Sequence, residues 1–170
     1  MPGIRSANTF WVACAALLAG CQSVQTTGAG AVGIERTQRM SSLVSEADMR
    51  RQAETAYREV LATQRQKGAL NVDQALNSRV RAITSRMIPA SEAFRPEAAQ
   101  WKWEVNVIRS DQINAWCMPG GKIAVYSGLI TKLGLSDDEI AAVVGHEIAH
   151  ALREHARERA SEQLGAQMVI

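Results

Sequence analysis

His146, Glu147 and His150 stand together in the stretch AAVVGHEIAHALREHARER, residues 141–159. On a helix, residues four apart lie about 40° from each other around the axis and one turn apart along it, so both imidazoles can reach one metal ion. Glu147, one residue on, sits beside that point without having to be a ligand. This H-E-x-x-H spacing suits one Zn2+ per subunit, a metal that lowers the pKa of a bound water. Glu147 is placed to take the proton of the attacking water and pass it to the leaving group. The competing reading is a pair of surface histidines on an amphipathic helix. Val143, Val144, Ile148 and Ala149 argue against it, because they surround the motif with apolar side chains.

A catalytic zinc ordinarily takes three protein ligands, and the third is not evident in the residues themselves. His155 follows His150 by five positions, about 140° away on a straight helix. Segments that supply a third histidine locally break the helix with glycine first. Ala151, Leu152, Arg153 and Glu154 contain no such breaker, so His155 reads as a capping histidine or as a partner of a ligand. Glu154, Glu158 and Glu162 read as solvated partners of Arg153, Arg157 and Arg159. Cys117 could ligate as a thiolate; in a strand it reads instead as an inert small hydrophobe.

The elements that position this motif follow from periodicity. Ser136 and Glu139 form a capping box with two aspartates in the first turn, which starts a helix predicted to run past Arg159. Upstream, WKWEVNVI (101–108) alternates as a strand, and NAWCMPGGKIAVYSGLI (114–130) reads as a hairpin. Pro119-Gly120 suits the centre of a type II turn. A short helix over 128–133 follows the hairpin. Two amphipathic helices precede this region. One carries Ala53, Tyr57, Val60 and Leu61 on one stripe and ends at KGAL (67–70). The other runs from Val72 to Met87 and is closed by Pro89. The expected fold is α+β, mainly helical, with a small sheet beside the H-E-x-x-H helix.

The N-terminus reads differently. Arg5 is followed by an apolar run from Phe10 to Leu18, the length of a signal-peptide core and too short to span a bilayer. Leu18-Ala19-Gly20-Cys21 resembles a bacterial lipobox, in which the signal is cut before the cysteine and the cysteine is lipidated. A plain secretory signal is the alternative. Gln22 rather than Asp after the cysteine favours the outer membrane of a Gram-negative bacterium, on its periplasmic face. Residues 1–20 are therefore expected to be a signal peptide and residues 21–41, rich in Gln, Thr, Gly and Ser, a lipid-anchored flexible tether. Residues 42–170 form the domain. With Cys14 in the signal and Cys21 lipidated, Cys117 is the one thiol left, so no intrachain disulfide framework is expected. The 19 Lys+Arg and 17 Asp+Glu are interspersed, which excludes the basic footprint of a nucleic-acid binder.

The pairing of NAWCMPGGKIAVYSGLI with LSDDEIAAVVGHEIAHALREHARER resembles the HtpX-type zinc metallopeptidases, which include the CAAX prenyl protease, and more closely their bacterial outer-membrane lipoprotein members. Two motifs in the right order carry the resemblance, which covers the chain from about Ser42 onward; Trp116 stands where phenylalanine is expected. The resemblance implies a zincin-like fold, zinc on His146 and His150, and Glu147 as catalytic base. It also implies protein or peptide substrates, such as misfolded cell-envelope proteins, whose backbone pairs with Asn114, Ala115, Trp116, Cys117 and Met118 or with the facing strand. The family's third zinc ligand is a glutamate on a later helix, and no glutamate follows Glu162. The expectation is a fragment or a truncated product with the third ligand beyond Ile170. A metal-incomplete lipoprotein that binds envelope proteins without cutting them is the alternative function.

Overall fold

A computed structural model of the chain describes residues 21–29 and 35–168; the proposed signal peptide lies outside them. The element order is β1 (Cys21–Thr27), β2 (Arg36–Ser41), α1 (Glu46–Gln66), α2 (Gln74–Ser91), a 3-10 turn (Pro96–Gln100), β3 (Glu104–Ile108), β4 (Ala115–Met118), β5 (Lys122–Tyr126), α3 (Ser127–Leu133), α4 (Asp137–Leu152) and α5 (His155–Met168). The class is α+β, as expected, with the small sheet against the motif helix.

That sheet has the order β3-β5-β4. β3 runs parallel to β5, with Val105 opposite Ile123 and Val107 opposite Val125. β4 runs antiparallel to β5, pairing Cys117 with Ile123 and Trp116 with Ala124. Because side chains alternate along each strand, the sheet has two distinct faces. Val105, Val107, Ala115, Ile123 and Val125 join the cluster formed with α2 and α4, whose buried stripe is Ile140, Val144, Ile148 and Leu152. Ile108, Ala124 and Trp116 pack with Tyr57 and Leu61 of α1 on the other face. The sheet is thus the middle of three layers, and β4 packs against α4.

The β4–β5 turn forms as expected. Gly120 has φ +83° and Gly121 φ +78°, and Gly121 N–H donates to the Met118 carbonyl at 3.2 Å. Gly121 is further constrained because a Cβ there would stand 2.5 Å from the Trp103 ring. The strand predicted from Trp101 begins only at Glu104; Trp101 and Trp103 instead stack against each other with ring centroids 5.3 Å apart.

Three expectations are corrected. Pro89 lies inside α2 rather than ending it. Its fixed φ is itself helical, so near the helix end it is accommodated at the cost of one backbone bond and crowding of the preceding turn, and the helix closes two residues later, where Ser91 Oγ donates to the Ile88 carbonyl at 2.6 Å.

The tether over 21–41 contains a hairpin. β1 pairs antiparallel with β2, from Cys21 opposite Ser41 to Thr27 opposite Arg36. Its polar residues satisfy one another in the interior: Thr26 Oγ1 donates to Gln38 Oε1 at 2.8 Å, and both residues are buried. β2 packs on α5, where Gln38 donates to Glu158 and Arg36 pairs with the same carboxylate at 3.3 Å. Gly28 N–H donates to the Phe94 carbonyl at 2.8 Å, tying the hairpin to the end of α2. A polar composition usually marks a solvated linker; here it marks a strand pair whose partners are other polar groups.

The third correction concerns the motif helix. It does not run past Arg159 but ends at Leu152, and Glu154 takes the left-handed conformation at φ +52° before α5 begins. That turn decides what surrounds the histidines.

Candidate metal centre

The N-terminal end of α4 is built as its sequence requires. Ser136 Oγ accepts from Glu139 N–H at 3.4 Å, and Ser136 N–H donates to Glu139 Oε2 at 2.8 Å. That Ser136 N–H bond, joined by Ser136 Oγ–H donating to Glu139 Oε2 at 2.7 Å, holds the Glu139 carboxyl below the usual carboxylate range. Gly145 lets α2 approach closely: a Cβ there would meet Met87 Cε at 2.9 Å.

One turn further, His146 Nε2 and His150 Nε2 lie 2.9 Å apart, with ring planes at 89°. Two Zn–N bonds of about 2.0–2.1 Å at a tetrahedral angle would hold their nitrogens about 3.3 Å apart. The two donors therefore converge on one point at nearly the separation a shared metal needs. His146 is exposed and His150 half-buried, so the point is open on one side. Glu147 is half-buried beside it, and its charge is felt by Cys117 on β4. The residue set fits zinc in chemistry and in convergence. It supplies two ligands: among the described residues no group of three or more His, Cys, Asp or Glu side chains could hold a metal ion.

Neither sequence candidate for a third ligand fills the gap. Burial, with the negative charge of Glu147 added, pushes the Cys117 thiol up. Its weak contact is to the Met118 carbonyl at 3.6 Å. His155 meets His150 on the side opposite the shared point, Nδ1 to Nδ1, with ring centroids 4.7 Å apart. It is a partner of His150 and lies away from His146. Burial, reinforced by the neighbouring His150, pushes the His155 imidazole below its ordinary range.

The residues that place His155 there are Arg95 and Glu154, and neither stands out in the sequence. Glu154, expected to be solvated, is buried; it pairs with Arg95 Nη2 at 2.7 Å and with Arg157 at 3.0 Å. Arg95 is buried as well. Its Nη1 donates to the Leu152 carbonyl at 3.0 Å, capping α4, and its Nη2 also pairs with Glu46 at the start of α1 at 3.0 Å. The guanidinium lies 5.5 Å from the Trp101 ring centroid. One buried cation thus joins the end of α4, the turn after it and the first turn of α1. Arg95 precedes Pro96, which favours the extended backbone it adopts, but no local pattern in the sequence announces its partner.

The proposed substrate strand takes a definite place. β5 is bonded on both sides and β4 on one, so β4 alone of these two carries a free edge among the described residues. Ala115, Trp116, Cys117 and Met118 form β4, and the Asn114 carbonyl extends the ladder by accepting from Tyr126 N–H at 3.1 Å. A separate apolar cavity of about 550 Å³ lies between α2 and α4, lined by Met87, Phe94, Gly145, Ile148 and Leu152 among others; neither motif histidine faces it.

Comparison with known proteins agrees with this chemistry. The sequence model described as Peptidase family M48 matches residues 74–170, more than half of the chain. The mitochondrial metalloendopeptidase OMA1 of Arabidopsis thaliana is 44% identical over 62 residues, 36% of this chain and 13% of that protein. The OMA1 of Schizosaccharomyces pombe is 29% identical over 158 residues, 93% of this chain and 44% of its own. The metalloprotease LoiP of Escherichia coli is 26% identical over 155 residues, 91% of this chain and 56% of its own. The chain spans only part of each relative, from 13% to 56% of its length. No solved structure matches the chain.

Proposed function

The chain belongs to peptidase family M48, and on that premise we propose that it is the motif-bearing part of a zinc-dependent metalloendopeptidase, of the HtpX-like lipoprotein kind. The observation that carries the proposal is the convergence of His146 Nε2 and His150 Nε2 at 2.9 Å, with Glu147 beside them and a free-edged strand packed on the same helix. His146 and His150 would hold the metal. When bound, zinc supplies Lewis acidity that polarises a peptide carbonyl and acidifies water. Glu147 removes a proton from the attacking water and returns it to the leaving amine nitrogen, so the C–N bond breaks without releasing an amide anion. β4 receives an extended substrate by strand addition, with Trp116 and Met118 on one face and Cys117 on the other. Proteins of the cell envelope are the proposed substrates, reached from lipidated Cys21 at the periplasmic face of the outer membrane.

Glu147→Gln tests the assignment. Zinc binding should persist while kcat falls about 10²–10⁴-fold; cleavage at the parent rate would remove Glu147 from its role. A second reading, capture of envelope proteins on the β4 edge without hydrolysis, draws on the two-ligand set among the described residues. It predicts peptide binding with no Glu147-dependent cleavage in the parent protein.

A further inference from the structure

The two faces of the β4 edge differ in what they leave uncovered. Trp116 and Met118 lie on the α1 side, where with Val60 they pack against the cluster of Tyr57, Leu61, Ile108 and Ala124 yet stay half-buried. The Trp116 ring meets Tyr57 edge-on, with centroids 5.7 Å apart, and the Tyr57 hydroxyl is fixed by donating to the Ile123 carbonyl at 2.8 Å. β5 flanks Trp116 with Ala124 and Met118 with Lys122. The flank of both side chains left open is therefore the one at the free edge, among the described residues. On the α4 side Ala115 is buried, and Cys117 packs with Val143 on the main core. The exposed His146 and half-buried Glu147 stand along that helix.

We propose that Val60, Trp116 and Met118 form a specificity surface that selects extended protein segments with a large apolar side chain at every second residue. The proposal deepens the strand-addition reading given above and rests on it. A strand added at the edge continues the sheet, and its side chains alternate between the two faces. Every second side chain then stands on the α1 side beside Trp116 or Met118, where burial of apolar surface favours it. The others stand on the side of the motif helix, where the neighbours are smaller or polar. Alternation of this kind marks a strand that buries one face in its own folded protein. A folded protein hides those side chains and an unfolded one offers them, so the selection is for lost structure rather than for one residue type.

Two features separate this surface from an ordinary exposed apolar patch. Native sheets protect a free edge with charged residues, proline or a bulge. Ala115-Trp116-Cys117-Met118 carries no charge and no proline, and its ladder with β5 runs without a register shift. An edge left open in this way is suited to pairing, and only a segment in extended conformation satisfies its backbone groups and its apolar side chains together. The Trp116 ring is also held in advance by Tyr57, so little side-chain freedom is lost when a partner covers it. Aromatic side chains make favourable cross-strand pairs with apolar ones.

The test uses two labelled peptides of one composition, leucine and serine in equal number between terminal lysines. One alternates Leu with Ser; the other spaces its leucines at i, i+3, i+4 and i+7. Binding to the full chain is followed by fluorescence anisotropy, with the peptides checked for cleavage by mass spectrometry. The alternating peptide should bind about 10-fold more tightly or better, and Trp116→Thr or Val60→Ser should bring the two within about 3-fold of each other. In a strand the amides of alternate residues face opposite edges. N-methylation of either the leucine or the serine amides, and not of both, should therefore abolish binding of the alternating peptide. Equal affinity for the two peptides in the parent protein would overturn the proposal; if methylation still discriminated, strand addition would stand without the selection. If the alternating peptide binds more tightly but neither set of methyl groups matters, the strand-addition reading fails and the proposal with it. Should Trp116→Thr fail to fold, Val60→Ser carries the comparison, and an unchanged preference there would overturn the assignment. Because binding alone is read, loss of the role given to Glu147 in cleavage would leave this result untouched.

Discussion

At its N-terminus α4 is held by Ser136 and Glu139, three residues apart and exposed; at its C-terminus it is held by Arg95 and Glu154, which come from separate elements and are buried. The first device is local and solvated, so it sets where the helix starts at small cost and with small gain. The second removes two charges from water, and it holds a left-handed residue that no local preference would choose. The start needs only to be somewhere near Asp137; the end decides where His155 points. The stronger, non-local device is found at the end that bears on the histidines.

The largest expected effect follows from cutting the buried pair. Glu154→Ala leaves the Arg95 guanidinium in the interior without its nearest carboxylate and should cost about 3–5 kcal/mol, read as a lowered urea midpoint. Glu154→Gly sharpens the point, because it removes the same pair but relieves the positive φ. It should be more stable than the alanine variant by about 1 kcal/mol. If Glu154→Ala proved as mild as a cap deletion, the contrast between the two ends would collapse.

Ser136→Ala should be milder, costing about 1 kcal/mol and leaving Zn2+ affinity unchanged. Smaller still is the pH response of that end. Hydrogen bonds from Ser136 hold the folded Glu139 carboxyl below its unfolded value. As pH falls the unfolded chain then binds the proton first, so this contribution is present above the unfolded pKa and is lost as pH drops through the folded one. Glu139→Gln should therefore give a flatter acid limb when denaturation midpoints are followed from neutral pH down through the carboxylate range. An unchanged limb would show that the capping carboxylate is not what titrates there.

Legibility in the sequence follows the same division. The capping box, the Pro119-Gly120 turn, the alternation of Ile123 and Val125 with Ala124 and Tyr126, and the i, i+4 histidines are local patterns, and the structure reproduces each of them. The break after Leu152 was not legible. Ala151 to Glu154 are good helix formers, and what ends the helix is a charge contributed by Arg95 from beyond α2. The hairpin over 21–41 was missed for a related reason. Thr26 and Gln38 bond to each other across two strands, and polar side chains that satisfy one another in the interior look in sequence like those that meet water. The third ligand remains a matter of the family resemblance, because within the described residues no third His, Cys, Asp or Glu side chain joins His146 and His150.

The hairpin also bears on how the molecule would sit at a surface. On the proposed anchoring, the lipidated residue is the first residue of β1, a strand of seven residues and so roughly 23 Å long. Its far end is fastened at Gly28 to Phe94, and its partner strand to Glu158. A slack polymer would let the catalytic groups sample a hemisphere above the bilayer. On that proposal a fastened strand would instead act as a strut, fixing both altitude and tilt. Such an enzyme would choose among proteins by how far a vulnerable segment stands from the membrane, before any side chain is compared.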